Sequence, residues 1–249
     1  MAKITIDIET IRQSLSDIGY EISDLIEREN NGINWQIKFS NSGAIVTIYD
    51  TNNKKNSVVN GKCDEEERKV LKNIVDRLKC KEFQIDPLNR EIVRRINERH
   101  EDFDIDFKRE WYLPQKKADM LHDILCLSNN TENKDAYLVI GVDDDYQVLG
   151  VTKEIKSNDI IDYMKSKHFA GEHMPVFELK KLFYQHKTIY VIVCYSSKYV
   201  PFYLTEKEQR VCEHRIYTRV GDTNTPVDKG ASYIDVERLW RIHFEREME

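Results

Sequence analysis

The chain has 249 residues, long enough for two modest domains or one large one. Its net charge of −6, from 38 Lys or Arg against 44 Asp or Glu, excludes a protein that coats duplex nucleic acid by bulk charge alone, while leaving room for a local basic groove. Regular blocks of Trp, Tyr, Phe, Ile and Val exclude a disordered chain. No apolar run approaches the ~20 residues that span a bilayer. Five cysteines (Cys63, Cys80, Cys126, Cys194, Cys212) with no close pair argue against a disulfide framework and a structural zinc site. The expected location is the cytoplasm.

In chain order, Ile8, Ile11, Leu15, Ile18, Ile22, Leu25 and Ile26 recur at three- and four-residue steps. This spacing predicts one amphipathic helix ending near Asn30-Asn31-Gly32. Strands are expected at Asn34–Ser40 and Ala44–Asp50 around the turn Asn41-Ser42-Gly43, with a short third near Ser57–Asn60. A helix follows from about Asp64, its capping residue, to Leu78. Together these predict a small α/β sandwich over 1–80. Residues 81–100 read as a linker containing a helix over Pro87–Arg99.

Beyond it, strands are predicted around Phe103–Phe107, Ala136–Val142, Val148–Val151, Phe177–Phe183, Ile189–Tyr195 and Ile216–Val220. Helices are predicted over Lys117–Ser128, Ser157–Lys167 and Asp235–Glu245. In the first of these helices, Ala118, Leu121, Ile124, Leu125 and Ser128 form one face able to lie on a sheet. Gly141 permits a bend or a close backbone approach before Asp143-Asp144-Asp145, a triplet with a ready structural reading as a turn. The fold class expected is α+β, ending in a docking helix over 231–249 that packs within the chain or across a homodimer.

The blocks EDFDIDFKREW from Glu101, KKADMLHDILCLSNN, DAYLVIGVDDDYQVLGV, KYVPFYL and IYTRVGDTNTPV occur in that order over roughly 101–227. This run resembles the Schlafen-like AlbA domain, so the second domain is placed at 101–230. The stretch GAIVTIYDTNNKKNSVVNGK resembles, over a shorter span, the TATA-binding-protein-like modules attached to some nucleases. Trp35 or Tyr49 would then lie on an open sheet face, or else in the core.

The central resemblance implies a metal-dependent endonuclease acting on RNA or single-stranded DNA, with a role in defence against invading genetic elements. A non-catalytic nucleic-acid-binding module and an assembly or regulatory subunit, acting as a homo-oligomer or within a protein complex, are the alternatives. Phosphodiester cleavage with Mg²⁺ or Mn²⁺ needs several oxygen ligands in one place. By the resemblance these are Glu101, Asp106 in Asp106-Phe107-Lys108, and Asp144, with Asp143 and Asp145 as further candidate ligands. Asp106 stands where Glu is commoner, one methylene shorter.

A spacing of five does not put Glu101 and Asp106 on one face of a straight strand, so a bend is needed, and Asp104 and Glu110 remain rival ligands. Lys108 would neutralise a phosphate oxygen or hold the carboxylates apart. Arg109, Arg219 and Thr223 are candidates for the phosphate backbone, Arg219 having a rival internal role beside a carboxylate. No GxxxxGK[ST] loop is present, which disfavours an ATPase.

Overall fold

The computed structural model describes residues 7–29, 33–49, 57–82 and 84–245. The fold is α+β, and the chain divides into two compact units. The first holds residues up to Glu98 together with Leu182–Lys187, the second Arg99–Lys181 and Thr188 onward.

In the first unit, helix α1 (Ile8–Asp17) is followed by four antiparallel strands in sheet order β1 (Ile22–Glu29), β2 (Ile33–Phe39), β3 (Ala44–Tyr49), β4 (Ser57–Gly61). The single helix expected from residue 8 toward Asn30 is therefore a helix and a strand; its expected end at Asn30-Asn31-Gly32, like Asp50, lies outside the described residues. The reason is Gly19. At φ +88° it stops the helix, its N–H donating to Ser16 O (2.9 Å) while Tyr20 N–H donates to Leu15 O (3.1 Å). This 6→1 and 5→2 pairing closes the last turn, which glycine permits without a Cβ penalty.

Helix α2 (Glu65–Lys79) starts at Asp64, whose carboxylate accepts from Glu67 N–H at 2.7 Å. Register places Trp35, Ile37, Val46 and Ile48 on one face with Phe39, and that face packs against Leu15, Leu71, Ile74 and Val75 of the two helices. Trp35 thus sits on the covered side, and Tyr49 on the other, where it is exposed. Helix α3 (Leu88–Glu98), expected within the linker, belongs to this unit. Its Asn89 is buried and holds Phe183 by two hydrogen bonds (2.6 and 2.9 Å).

The second unit is built on the sheet β5 (Ile105–Lys108), β6 (Ala136–Ile140), β8 (Lys187–Cys194), β7 (Phe177–Tyr184), in that spatial order, residues 182–187 of the last two strands being counted with the first unit. β5 and β6 are parallel and joined through helix α4 (Lys117–Ser128), while β6 and β8 are antiparallel. A parallel pair requires such a crossover. α4 presents no solvent face beyond its first turn: Met120 to Ser128 are all buried, His122, Asp123 and Cys126 included. His122 packs edge-on to Tyr217 and lies 2.9 Å from Thr225 O. Helices α5 (Ser157–Lys165) and α6 (Tyr233–Glu245) and the short hairpin β9 (Arg219–Val220), β10 (Thr223–Asn224) complete the unit. No helix among the described residues is long and apolar enough to cross a membrane.

The strand expected at Val148–Val151 is a single bridge, Val142 to Val148. Gly141 explains this. Its carbonyl accepts both Leu149 N–H (2.8 Å) and Gly150 N–H (3.0 Å), so the returning chain is clamped to the end of β6 instead of extending beside it. Gly141 has φ +106°, and an added Cβ would stand 3.2 Å from Gly150 and 3.1 Å from Val151. Gly141→Ala is expected to lower unfolding free energy by about 1–3 kcal/mol, the scale of a strained backbone position. A denaturation midpoint unchanged from wild type would refute that reading.

Candidate active site

The acids of the central motif are brought together by a turn. Ile105 N–H donates to Asp102 O (3.2 Å), and the chain folds back on itself just before β5. Glu101 Oε1 thereby accepts from Phe107 N–H at 3.1 Å. This is the bend that a five-residue spacing requires.

Arg219, at the start of β9, receives both acids. Its Nη2 donates to Glu101 Oε2 at 2.9 Å, and its Nη1 lies 3.6 Å from Asp106 Oδ1. Nε donates to Asp102 O (2.9 Å), and Nη1 also donates to Asn224 Oδ1 (2.9 Å). Arg219 is only 2% exposed, so of its two expected roles it takes the internal one and cannot also grip a phosphate backbone in this arrangement. Its planar fork suits it to several acceptors at once.

Lys108 Nζ is 2.7 Å from Asp106 Oδ2, a charge contact outside hydrogen-bond geometry, and 3.7 Å from Asp123 Oδ2. Asp123, on buried α4, is the acid that sequence reasoning passed over. Its carboxylate accepts from Tyr112 OH and, at 2.8 Å, from Asn224 Nδ2. A closed ring results: Asp106, Lys108, Asp123, Asn224, Arg219 and back to Asp106. Asn224 joins it because it lies directly opposite Arg219 in the β9–β10 register.

Burial pushes Asp123 up to about 6, an effect that Lys108 opposes and Asp106 reinforces. Burial likewise raises Glu101, against the N–H of Phe107. For Lys108 burial works the other way, but Asp123 and Asp106 outweigh it and hold the ammonium above its ordinary value. Low-dielectric surroundings disfavour each isolated charge and strengthen each pair.

The aspartate triplet is placed differently from the expected ligand set. Asp143 Oδ1 accepts from Asp145 N–H (3.1 Å) and Gln147 N–H (2.8 Å), fastening its own turn, and Asp144 and Asp145 are exposed. The same turn approaches the site through Tyr146, whose ring meets Phe107 edge-on at 5.5 Å and whose phenol is raised by burial and by the charge of Glu101. Among the described residues no three His, Cys, Asp or Glu side chains form a group that could hold a metal. Glu101 and Asp106 converge as a pair. Arg109 and Glu110 are exposed on the chain leaving β5, Asp104 is half-buried, and Thr223 is exposed with its hydroxyl on Asp222 (2.9 Å).

Comparison with curated proteins and with solved structures gives no match. A family model described as Schlafen, AlbA_2 matches residues 101–228. That span opens on Glu101 and closes after the β9–β10 hairpin, so it contains every member of the ring and just over half of the 249 residues. The chain belongs to the Schlafen AlbA_2 family, a family associated with nucleic acids.

Proposed function

We propose that the second unit is a metal-dependent endonuclease for RNA or single-stranded DNA, with Glu101 and Asp106 as the protein's ligands for Mg²⁺ or Mn²⁺. The observation that carries this reading is the turn that folds Glu101 back, so that its carboxylate and that of Asp106 reach one guanidinium.

The donor chemistry fits the cation. Both ligands are hard oxygens, and Mg²⁺ is commonly held by one or two carboxylates with water and substrate phosphate completing its shell. Asp106 Oδ2 is buried and its desolvation is offset by the Lys108 ammonium at 2.7 Å, which marks it as an oxygen held beside a cation. Three acidic side chains (Glu101, Asp106, Asp123) face two cations (Lys108, Arg219), so a further cation would ease the approach of a phosphodiester. Such a metal, when bound, supplies an activated water and stabilises charge developing on the phosphate.

The chain's own residues do the rest. Arg219 fixes the two ligands, and half-buried Lys108 neutralises a non-bridging phosphate oxygen at the rim. Exposed Arg109 and Thr223 offer donors to the flanking backbone. We attach to this activity a role in defence against invading genetic elements.

Non-catalytic nucleic-acid binding is the second reading, favoured by the fact that Lys108 and Arg219 already sit on both carboxylates. Incubating the full chain with structured RNA, single-stranded DNA and duplex DNA, in Mg²⁺, Mn²⁺ or chelator, separates the two. Cleavage that needs metal is expected, with Asp106→Asn and Glu101→Gln each losing about 100-fold or more, the scale of one lost stabilising group in a transition state. Asp144→Asn, at an exposed position, is expected to keep most activity. Salt-sensitive binding with no cleavage in either metal would decide for the second reading.

A further inference from the structure

Helix α6 (Tyr233–Glu245) buries one side and leaves the other bare. On the inner side Leu239 is fully buried, Ile242 packs on the same core, and His243 Nδ1 lies 3.0 Å from Val200 O. On the outer side Tyr233, Ile234 and Phe244 are 81%, 59% and 58% exposed. Trp240 stacks its ring on Phe244 at 5.8 Å, so the two form one aromatic cluster. Tyr233, Trp240 and Phe244 follow one another by seven and four residues, a spacing that keeps them on a single stripe. Glu237 and Arg241 run alongside, paired at 2.7 Å. A solvent-facing helix side is ordinarily polar, and a contiguous aromatic stripe on it marks a contact surface.

The order of groups along this side identifies what covers it. Glu237 and Arg241 are equidistant from Leu239, the helix midpoint, and so, to within one residue, are Tyr233 and Phe244. Read backward, the outer side presents aromatic, base, acid, aromatic: the complement of itself read forward. We propose that α6 docks antiparallel on α6 of a second copy of this chain, about a twofold axis passing near Leu239. Tyr233 of one copy then meets Phe244 of the other at both ends, and Glu237 of one faces Arg241 of the other. A twofold contact repeats each pairing, so every favourable pair counts twice. The mixed charges flanking the stripe match a copy of the same helix better than a uniformly anionic surface. A 13-residue helix is about 20 Å long, which makes this a small interface with a Kd of roughly 10–100 µM.

Sedimentation velocity on the full chain over about 1–200 µM tests this. A concentration-dependent monomer–dimer equilibrium is expected. Tyr233→Lys and Phe244→Lys, at side chains exposed enough to leave folding intact, are expected to abolish it. Glu237→Arg and Arg241→Glu are each expected to weaken the dimer by about tenfold, and the double swap to restore it. A wild-type chain that stays monomeric throughout overturns the proposal. So does a dimer indifferent to these variants, which would use another face, and a double swap that fails to restore association rules out the antiparallel register. None of these outcomes depends on nuclease activity.

Discussion

Arg219→Ala is expected to destabilise the second unit by about 3–5 kcal/mol, the cost of leaving buried charge without its partner. The side chain is 2% exposed, and its removal strips Glu101, Asn224 and the Asp102 carbonyl of a donor and Asp106 of a cation 3.6 Å away. Urea unfolding followed by tryptophan fluorescence in a Trp35→Phe background, which leaves Trp111 and Trp240 of this unit as reporters, reads the loss. Arg219→Lys is expected to recover little, because an ammonium cannot reach acceptors spread around a planar fork. Glu101→Gln should cost less in the Arg219→Ala background than in wild type, since the carboxylate has already lost its cation. The variant should also regain stability as pH is lowered. With the guanidinium gone, the buried carboxylates take up protons more readily when folded than when unfolded, so stability falls with rising pH. A loss below about 1 kcal/mol would show the Arg219 pairs to be ordinary surface contacts.

The residues that make up the site were legible in sequence to different degrees, for physical reasons. Glu101, Asp106 and Lys108 stand in one short block, and the need for a bend between the two acids follows from strand periodicity alone. The turn that supplies the bend, Asp102 to Ile105, has no Gly or Pro to announce it. α4 was bounded at Lys117 and Ser128 by its pattern, and the structure has the same limits. Yet a helix buried on all sides has no polar face, and the one-sided reading left Asp123 outside the site. Asn224 and Tyr112 reach Asp123 only across 101 and 11 residues of chain, contacts that no local pattern encodes, although the hairpin itself sets Asn224 opposite Arg219. Asp143 drew attention as a ligand because an acidic triplet at a strand end suits a metal, but an aspartate two residues before a turn amide satisfies that amide first. The helix expected from Ile8 toward Asn30 carried its own correction in Gly19, a glycine at the place where a helix closes. Three- and four-residue spacing of Ile18, Ile22 and Leu25 continued past that stop only by coincidence with a strand.

Asp123 gives the sharpest pH dependence. Its pKa is pushed up to about 6 by burial, from an ordinary value of 3.8, so between those values the folded chain binds a proton that the unfolded chain does not. Stability from this group is therefore greatest below about pH 4 and is lost as pH rises toward 6 and beyond. The shift corresponds to about 3 kcal/mol as an order of magnitude. Buried His122 is lowered, chiefly by desolvation, and works in the opposite direction: its folded form resists protonation, and stability from it is lost as pH falls below 6.5. The two effects overlap in a wild-type curve. Asp123→Asn removes the first effect and leaves the imidazole in place, although His122 Nδ1, 3.9 Å from Asp123 Oδ1, loses a charged neighbour in the variant. The difference in unfolding free energy between the two proteins is expected to be level below about pH 4, to swing toward the variant between pH 4 and 6, and to level again above. That swing has the sign of Asp123, opposite to that of His122. A difference curve without slope across this interval would mean that Lys108, Tyr112 and Asn224 compensate the carboxylate fully, and that α4 carries its charge at no cost.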